Sequence, residues 1–152
     1  MSIIVGIDPG KSGGLAKIDT DNIGYLRTSK CPDNTIDMAG LVSSAQNSAY
    51  IDNSKLIVYI ENVHAFPTDT RSSAFKFGTN FGMWLGILGA YKIEPIRVQP
   101  QVWMRDIQPL PKVKKERKLE IKRLAIEMFP DNKITLSTAD AVMLAVWGAR
   151  HE

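Results

Sequence analysis

Residues 2–8, SIIVGID, alternate so that Ile3, Val5 and Ile7 share one face of a strand and Ile4, Gly6 and Asp8 the other. The run is rich in β-branched residues and stops at Pro9-Gly10, a turn signal. Gly13-Gly14 and Asn22 mark further turns, so 14–19 and 23–29 are expected to continue as a meander. Residues 34–50 form a weak helix candidate. The segment 55–61, ending in LIVYIE, is apolar on both faces, as a central strand must be. A helix from about Thr70 to Lys92, a short strand at 94–98, a Pro-rich connection, a basic helix over 113–128 and a last helix over 138–150 complete the pattern. Early strands, a central strand and then helices predict an α/β architecture, a five-stranded mixed sheet flanked by helices. No internal repeat, low-complexity tract or dividing linker interrupts residues 1–152, so a single domain is expected.

Composition narrows the classes. In 152 residues, 44% hydrophobic, there is enough apolar material for a real core, and a charged fraction of 23% is ordinary for a soluble protein. The apolar start SIIVGI is too short, and lacks the basic leader, for a signal peptide. The longest apolar stretch, Phe81 to Tyr91, is too short to span a bilayer, so no membrane association and a cytoplasmic location are expected. A lone cysteine, Cys31, excludes an internal disulfide framework and a multi-cysteine zinc site. The formal net charge of +3 is unevenly spread. Between Lys112 and Arg123 seven basic residues face only Glu116 and Glu120, a local +5 that leaves about −2 for the rest of the chain. Such a segment fits either a polyanion partner or a solvated helix face.

Three acids stand in apolar surroundings. Asp8 ends the first strand, and Pro9 biases it towards an extended conformation. Its carboxylate should therefore project at the strand's carboxyl end, with Gly6 leaving open space on that face. Glu61 ends the central strand. Asp140 is the only polar side chain from Ala139 to Trp147, in a helix with little solvated face to offer it. Each has a plainer reading: an Asp-Pro-Gly turn, a solvent-facing strand end, and a capping arrangement with Ser137 as N-cap and Asp140 three residues later. Jointly, a strand-end Asp, a central-strand Glu and a helix-start Asp can converge at one sheet edge. Buried carboxylates are costly unless a cation compensates them. Hard oxygen donors select Mg²⁺, with Mn²⁺ as the alternative, over zinc. Two such ions about 4 Å apart can activate a water and stabilise a leaving oxygen in phosphodiester cleavage.

The order GIDPG, then a strand ending in Glu, then ADA opening a C-terminal helix resembles the RuvC family of Holliday-junction resolvases, in particular its short phage-encoded members. The resemblance runs over most of the chain. It implies a ribonuclease H-like fold, a homodimer, branched DNA as partner, and the host cytoplasm as location for a phage-encoded protein. It also implies that Asp8, Glu61 and Asp140 are metal-binding catalytic carboxylates. The fourth carboxylate of the family usually lies three residues before the final Asp, where this chain has Ser137; either a hydroxyl or a water substitutes for it, or catalysis is slower or more dependent on Mn²⁺.

Other residues acquire roles from the same likeness. Lys118 is the best match to a functional lysine that stabilises charge at the scissile phosphate, with Lys115 second. His64, three residues past Glu61, and Phe66 are candidates for stacking at an opened junction; His64 is a candidate extra ligand as well. Arg71 and Lys76 would suit phosphate contact, whereas Phe75, Phe77 and Phe81 read as core. In the basic helix, Leu119, Ile121, Leu124, Ala125, Met128 and Phe129 should form a buried stripe, turning Lys114, Lys115, Lys118 and Lys122 mostly outward. Gly78, Gly82 and Gly86, with Gly89 close by, each cost a helix interior about 1 kcal/mol relative to alanine. They suit close approach of another backbone, either the sheet of the same chain or a second subunit.

The expected activity is that of a metal-dependent endodeoxyribonuclease nicking four-way or other branched junctions in pairs. A nuclease of the same fold acting on precursor RNA or flap DNA is the alternative. A binding-only module is a further reading, motivated by Ser137. An ATPase of the actin and sugar-kinase type, whose phosphate loop resembles GIDPGKSGG, would need a second lobe that 152 residues do not accommodate.

Overall fold

The computed structural model describes residues 1–22, 24–107 and 109–152. Its strands are β1 (Ser2–Asp8), β2 (Gly14–Asp19), β3 (Leu26–Lys30), β4 (Lys55–Glu61) and β5 (Ile96–Val98). The helices are α1 (Thr35–Ile51), α2 (Arg71–Ala90), α3 (Pro100–Arg105), α4 (Lys114–Met128) and α5 (Leu136–Arg150). The expected strand 23–29 begins later, at Leu26, and Ile23 lies outside the described residues. One sheet of order β3-β2-β1-β4-β5 results, with β1 antiparallel to β2 and parallel to β4, and β4 parallel to β5.

All seven residues of β1 are buried because helices cover both faces of the sheet. Ile3, Val5 and Ile7 join one core with Met38, Val42 and Ala45 of α1 and Trp84 and Leu88 of α2. Ile4 joins the other with Trp103 of α3, Ile121 and Ala125 of α4, and most of α5. The two-residue alternation of β1 is thus the division between two hydrophobic layers. From Thr138 to Val146 every residue of α5 is buried, as expected of a helix apolar on all sides and enclosed by its neighbours.

Close backbone packing sets the position of α5. A Cβ at Gly6 would overlap the Ala141 carbonyl oxygen and stand 2.8 Å from Ala145 N; one at Gly14 would lie 2.7 Å from the Ser137 carbonyl oxygen. Gly6 therefore opens no space beside Asp8, contrary to expectation; it lets α5 settle directly on the sheet.

Further differences follow from local geometry. The Pro-rich connection contains α3, opened by Pro100 at its first turn, where the missing N–H has no helical partner to lose. Gln108, in the same connection, lies outside the described residues. Helix α5 starts at Leu136 and is capped by Thr135: Thr138 Oγ1 accepts from Thr135 N at 3.0 Å. Ser137 is consequently inside the helix and is not its N-cap. On α4, Leu119 (51% exposed) and Met128 fall outside the buried stripe. On α2, Phe75 (76% exposed) and Phe77 are surface residues and not core, while Phe81 is partly buried.

Candidate metal site

Asp8 and Glu61 arrive together because β1 and β4 are parallel and pair Ile7 with Ile60. The next residue on each strand is the acid, so both carboxylates stand at the same sheet edge. Asp8 pairs across β1–β2 with Gly14, the residue over which the first turn of α5 lies. Asp140 sits one turn along that helix and is 5% exposed; Asp8 is also buried. Three remote stretches of sequence thereby deliver their acids to one end of the sheet.

Among the described residues two protein donors hold this cluster. Lys118, on α4, places Nζ 3.0 Å from Asp140 Oδ2. It does not point outward with Lys114 and Lys115, which are exposed at the start of the helix; Lys122 is half-buried. Trp103, fully buried on α3, donates its indole N–H to Glu61 Oε2 at 3.0 Å. The family likeness singled out Lys118 among the lysines crowding 112–122 but the helix pattern turned it outward, whereas no pattern ties a tryptophan in PQVW to a glutamate 42 residues earlier.

The electrostatics are those of negative charge gathered out of water. Burial, then the Glu61 and Asp140 carboxylates, push Asp8 well above the ordinary carboxylate range, with Lys118 opposing. Burial likewise raises Glu61 from 4.5 to about 7, against the Trp103 hydrogen bond; Asp140 adds to the rise and Lys118 reduces it. Burial disfavours the Lys118 cation, but Asp140, Asp8 and Glu61 together hold it above its usual value. Three acids and one lysine leave an uncompensated charge when all are ionised, which a divalent cation would complement. Among the described residues no three acidic, imidazole or thiol groups already stand tightly enough to clasp an ion. The donor chemistry fits Mg²⁺ or Mn²⁺, and closure on an ion requires the side chains to adjust.

The surrounding surface carries the remaining candidates. His64 and Phe66 lie in the exposed segment after β4, their ring centroids 4.7 Å apart. Arg71 opens α2, where Thr70 is the N-cap, and Lys76 follows on the exposed helix surface. The Phe77 ring lies against Gly10, in the turn directly after Asp8. Among the described residues nothing lies where a Cβ added at Gly78, Gly82, Gly86 or Gly89 would meet it, so the sheet of the same chain is not what they approach. Among the described residues no helix is long and apolar enough to cross a membrane.

No protein-family model and no curated protein matches the sequence. Among solved structures, Thermus thermophilus RuvC in complex with a Holliday junction substrate superposes with a TM-score of 0.61 at 16% identity, covering 99% of this chain and 96% of that one. A second Thermus thermophilus RuvC structure gives 0.60 at 17% identity over 98% and 96%. The five-stranded mixed sheet with helices on both faces is the ribonuclease H-like fold of these RuvC structures.

Proposed function

We propose that residues 1–152 form a single nuclease domain that cuts four-way or other branched DNA in a divalent-metal-dependent reaction. The observation that carries this reading is the meeting of Asp8, Glu61 and Asp140 at one sheet edge, with Lys118 beside them. Asp8, Glu61 and Asp140 would hold Mg²⁺ or Mn²⁺. Such an ion supplies Lewis-acid activation of a water and neutralises charge on the phosphodiester. Lys118 lies where it can stabilise the same phosphate, and its bond to Asp140 keeps both side chains in place before substrate arrives. Ser137, inside the first turn of α5, offers a hydroxyl where the family has its fourth carboxylate.

The DNA surface would be assembled around this edge. Helix α4 opens without a side-chain cap and with Lys114 and Lys115 in its first turn, where the helix dipole disfavours cations. A DNA phosphate there would offset both. Arg71, Lys76 and Lys122 add positive charge, and the exposed His64–Phe66 pair offers rings for an unpaired base.

A homodimer completes the reading, because the exposed glycine face of α2 is spaced symmetrically. In an antiparallel contact centred on Gly82, each Gly78 faces the other copy's Gly86 and each exposed Phe75 faces its Gly89. Such an isologous contact would present two sites for paired nicks.

The test is cleavage of labelled four-way junction, flap, duplex and RNA substrates with Mg²⁺ or Mn²⁺. Paired nicking of the junction is expected. Asp8→Asn should keep junction binding and lose nicking; wild-type nicking by this variant would refute the assignment.

A further inference from the structure

We propose that Trp103 is a positioning residue that fixes the Glu61 carboxylate for cation binding. The inference rests on the reading of Glu61 as a metal ligand and assigns the group that aims it. Glu61 is the last residue of β4, where the ladder to β5 ends at Val98 and Asn62 N donates to the Val98 carbonyl. Among the described residues no strand pairing holds the chain beyond that point. A glutamate there has three side-chain torsions, the last of them broad. The indole N–H of Trp103, 3.0 Å from Oε2, removes most of that freedom.

Trp103 is suited to this work by what surrounds it. It is fully buried in the layer that contains Ile121 and Ala125 of α4, and its helix starts at Pro100, with only Gln99 between it and β5. Its ring cannot swing without disturbing that core. The nature of the donor matters as much as its rigidity. Asp140 is held by an ammonium, which cancels charge; Glu61 is held by a neutral N–H, which orients the carboxylate and leaves its negative charge available to a cation. Buried tryptophan N–H groups normally find an acceptor, but any carbonyl would serve that purpose. Here the acceptor is one of the three clustered acids.

The experiment measures Mn²⁺ binding calorimetrically to the full chain without DNA, for wild type, Trp103→Phe, Glu61→Ala and the double variant. Trp103→Phe should weaken binding about 10-fold, the scale seen when an orienting partner of a metal ligand is removed. In the Glu61→Ala background the same substitution should have no further effect. Unchanged binding in Trp103→Phe, beside weakened binding in Glu61→Ala, overturns the positioning role and leaves the metal site standing. An equal loss in both backgrounds also overturns it, marking a general packing defect. Wild-type binding by Glu61→Ala refutes the ligand reading and this inference with it.

Should Trp103→Phe fail to fold, the indole N–H signals of the three tryptophans in nitrogen-15-labelled protein give the answer. Trp84→Phe and Trp147→Phe identify the Trp103 signal by elimination. Mn²⁺ is replaced by diamagnetic Mg²⁺ for this measurement. Movement of the Trp103 signal on Mg²⁺ addition, abolished in Glu61→Ala, supports the proposal; a signal indifferent to Mg²⁺ in wild type overturns it.

Discussion

Burial lifts Glu61 to about 7, so near neutrality this carboxyl is divided between its protonated and ionised forms when no cation is present. A carboxyl whose pKa is higher folded than unfolded contributes stability that is complete below the unfolded value, 4.5, and is lost as pH rises through about 7. Asp8, raised for the same reason, acts in the same direction. The metal-free protein should therefore lose thermal stability between about pH 5 and 8, by about 2–3 kcal/mol from Glu61 alone at 1.36 kcal/mol per pH unit. Glu61→Gln should flatten that slope. Cation binding needs the ionised form, so Mg²⁺ should stabilise more strongly at pH 8 than at pH 6. Melting curves across pH, with and without Mg²⁺, check all three outcomes; a wild-type profile flat from pH 5 to 8 contradicts them. At this scale the acids were legible because each is the one charged side chain in an apolar run. Trp103 was not, since its significance lies in an acceptor distant in sequence; Lys118 was picked out by the family likeness, but its inward turn towards Asp140 follows only from the docking of its helix.

Elements with a strong period were readable to within a residue or two: β1, β2 and β4 lie where alternation and apolar runs put them. The errors sit where chain chemistry underdetermines the outcome. In PQVWMR a proline-led helix forms because Trp103 can be buried, a tertiary reason absent from the local string. Phe75 and Phe77 read as core by composition, yet α2 turns Trp84 and Leu88 inward and leaves a bare face. That face makes a clean experiment possible. Gly82 is exposed with open space at its Cβ, so Gly82→Ala should stabilise the subunit by about 1 kcal/mol through helix propensity. Gly82→Leu should instead shift a dimer towards monomer, read by sedimentation equilibrium. A Gly82→Leu protein that sediments as wild type would remove α2 as the subunit contact.

The whole molecule separates its charges. The +5 segment lies on α4 and its approach, next to an edge that gathers three acids. Junction binding should weaken steeply with salt, log K falling with log salt in proportion to the phosphates neutralised. Lys115→Gln should reduce that slope by about 0.9 for one lost contact, without changing discrimination between branched and linear DNA. An unaltered slope would place Lys115 off the DNA path. Fold class and strand count were accessible from pattern alone, because a two-layered core imposes its periods along the entire chain. The packing of α5 was not, because it depends on glycines whose role appears only when two backbones meet.

That contact has a consequence for how the protein comes apart. Asp140 rides on a helix pressed against β1 and β2 through Gly6 and Gly14, where backbone meets backbone. The amides of Ala141 to Ala145 should accordingly exchange with deuterium only when the entire sheet opens, on the slowest timescale of the chain. Warming would then leave the carboxylates in register until cooperative melting removes them together. Rapid exchange in this stretch, well below the melting temperature, would reveal a helix able to lift off by itself.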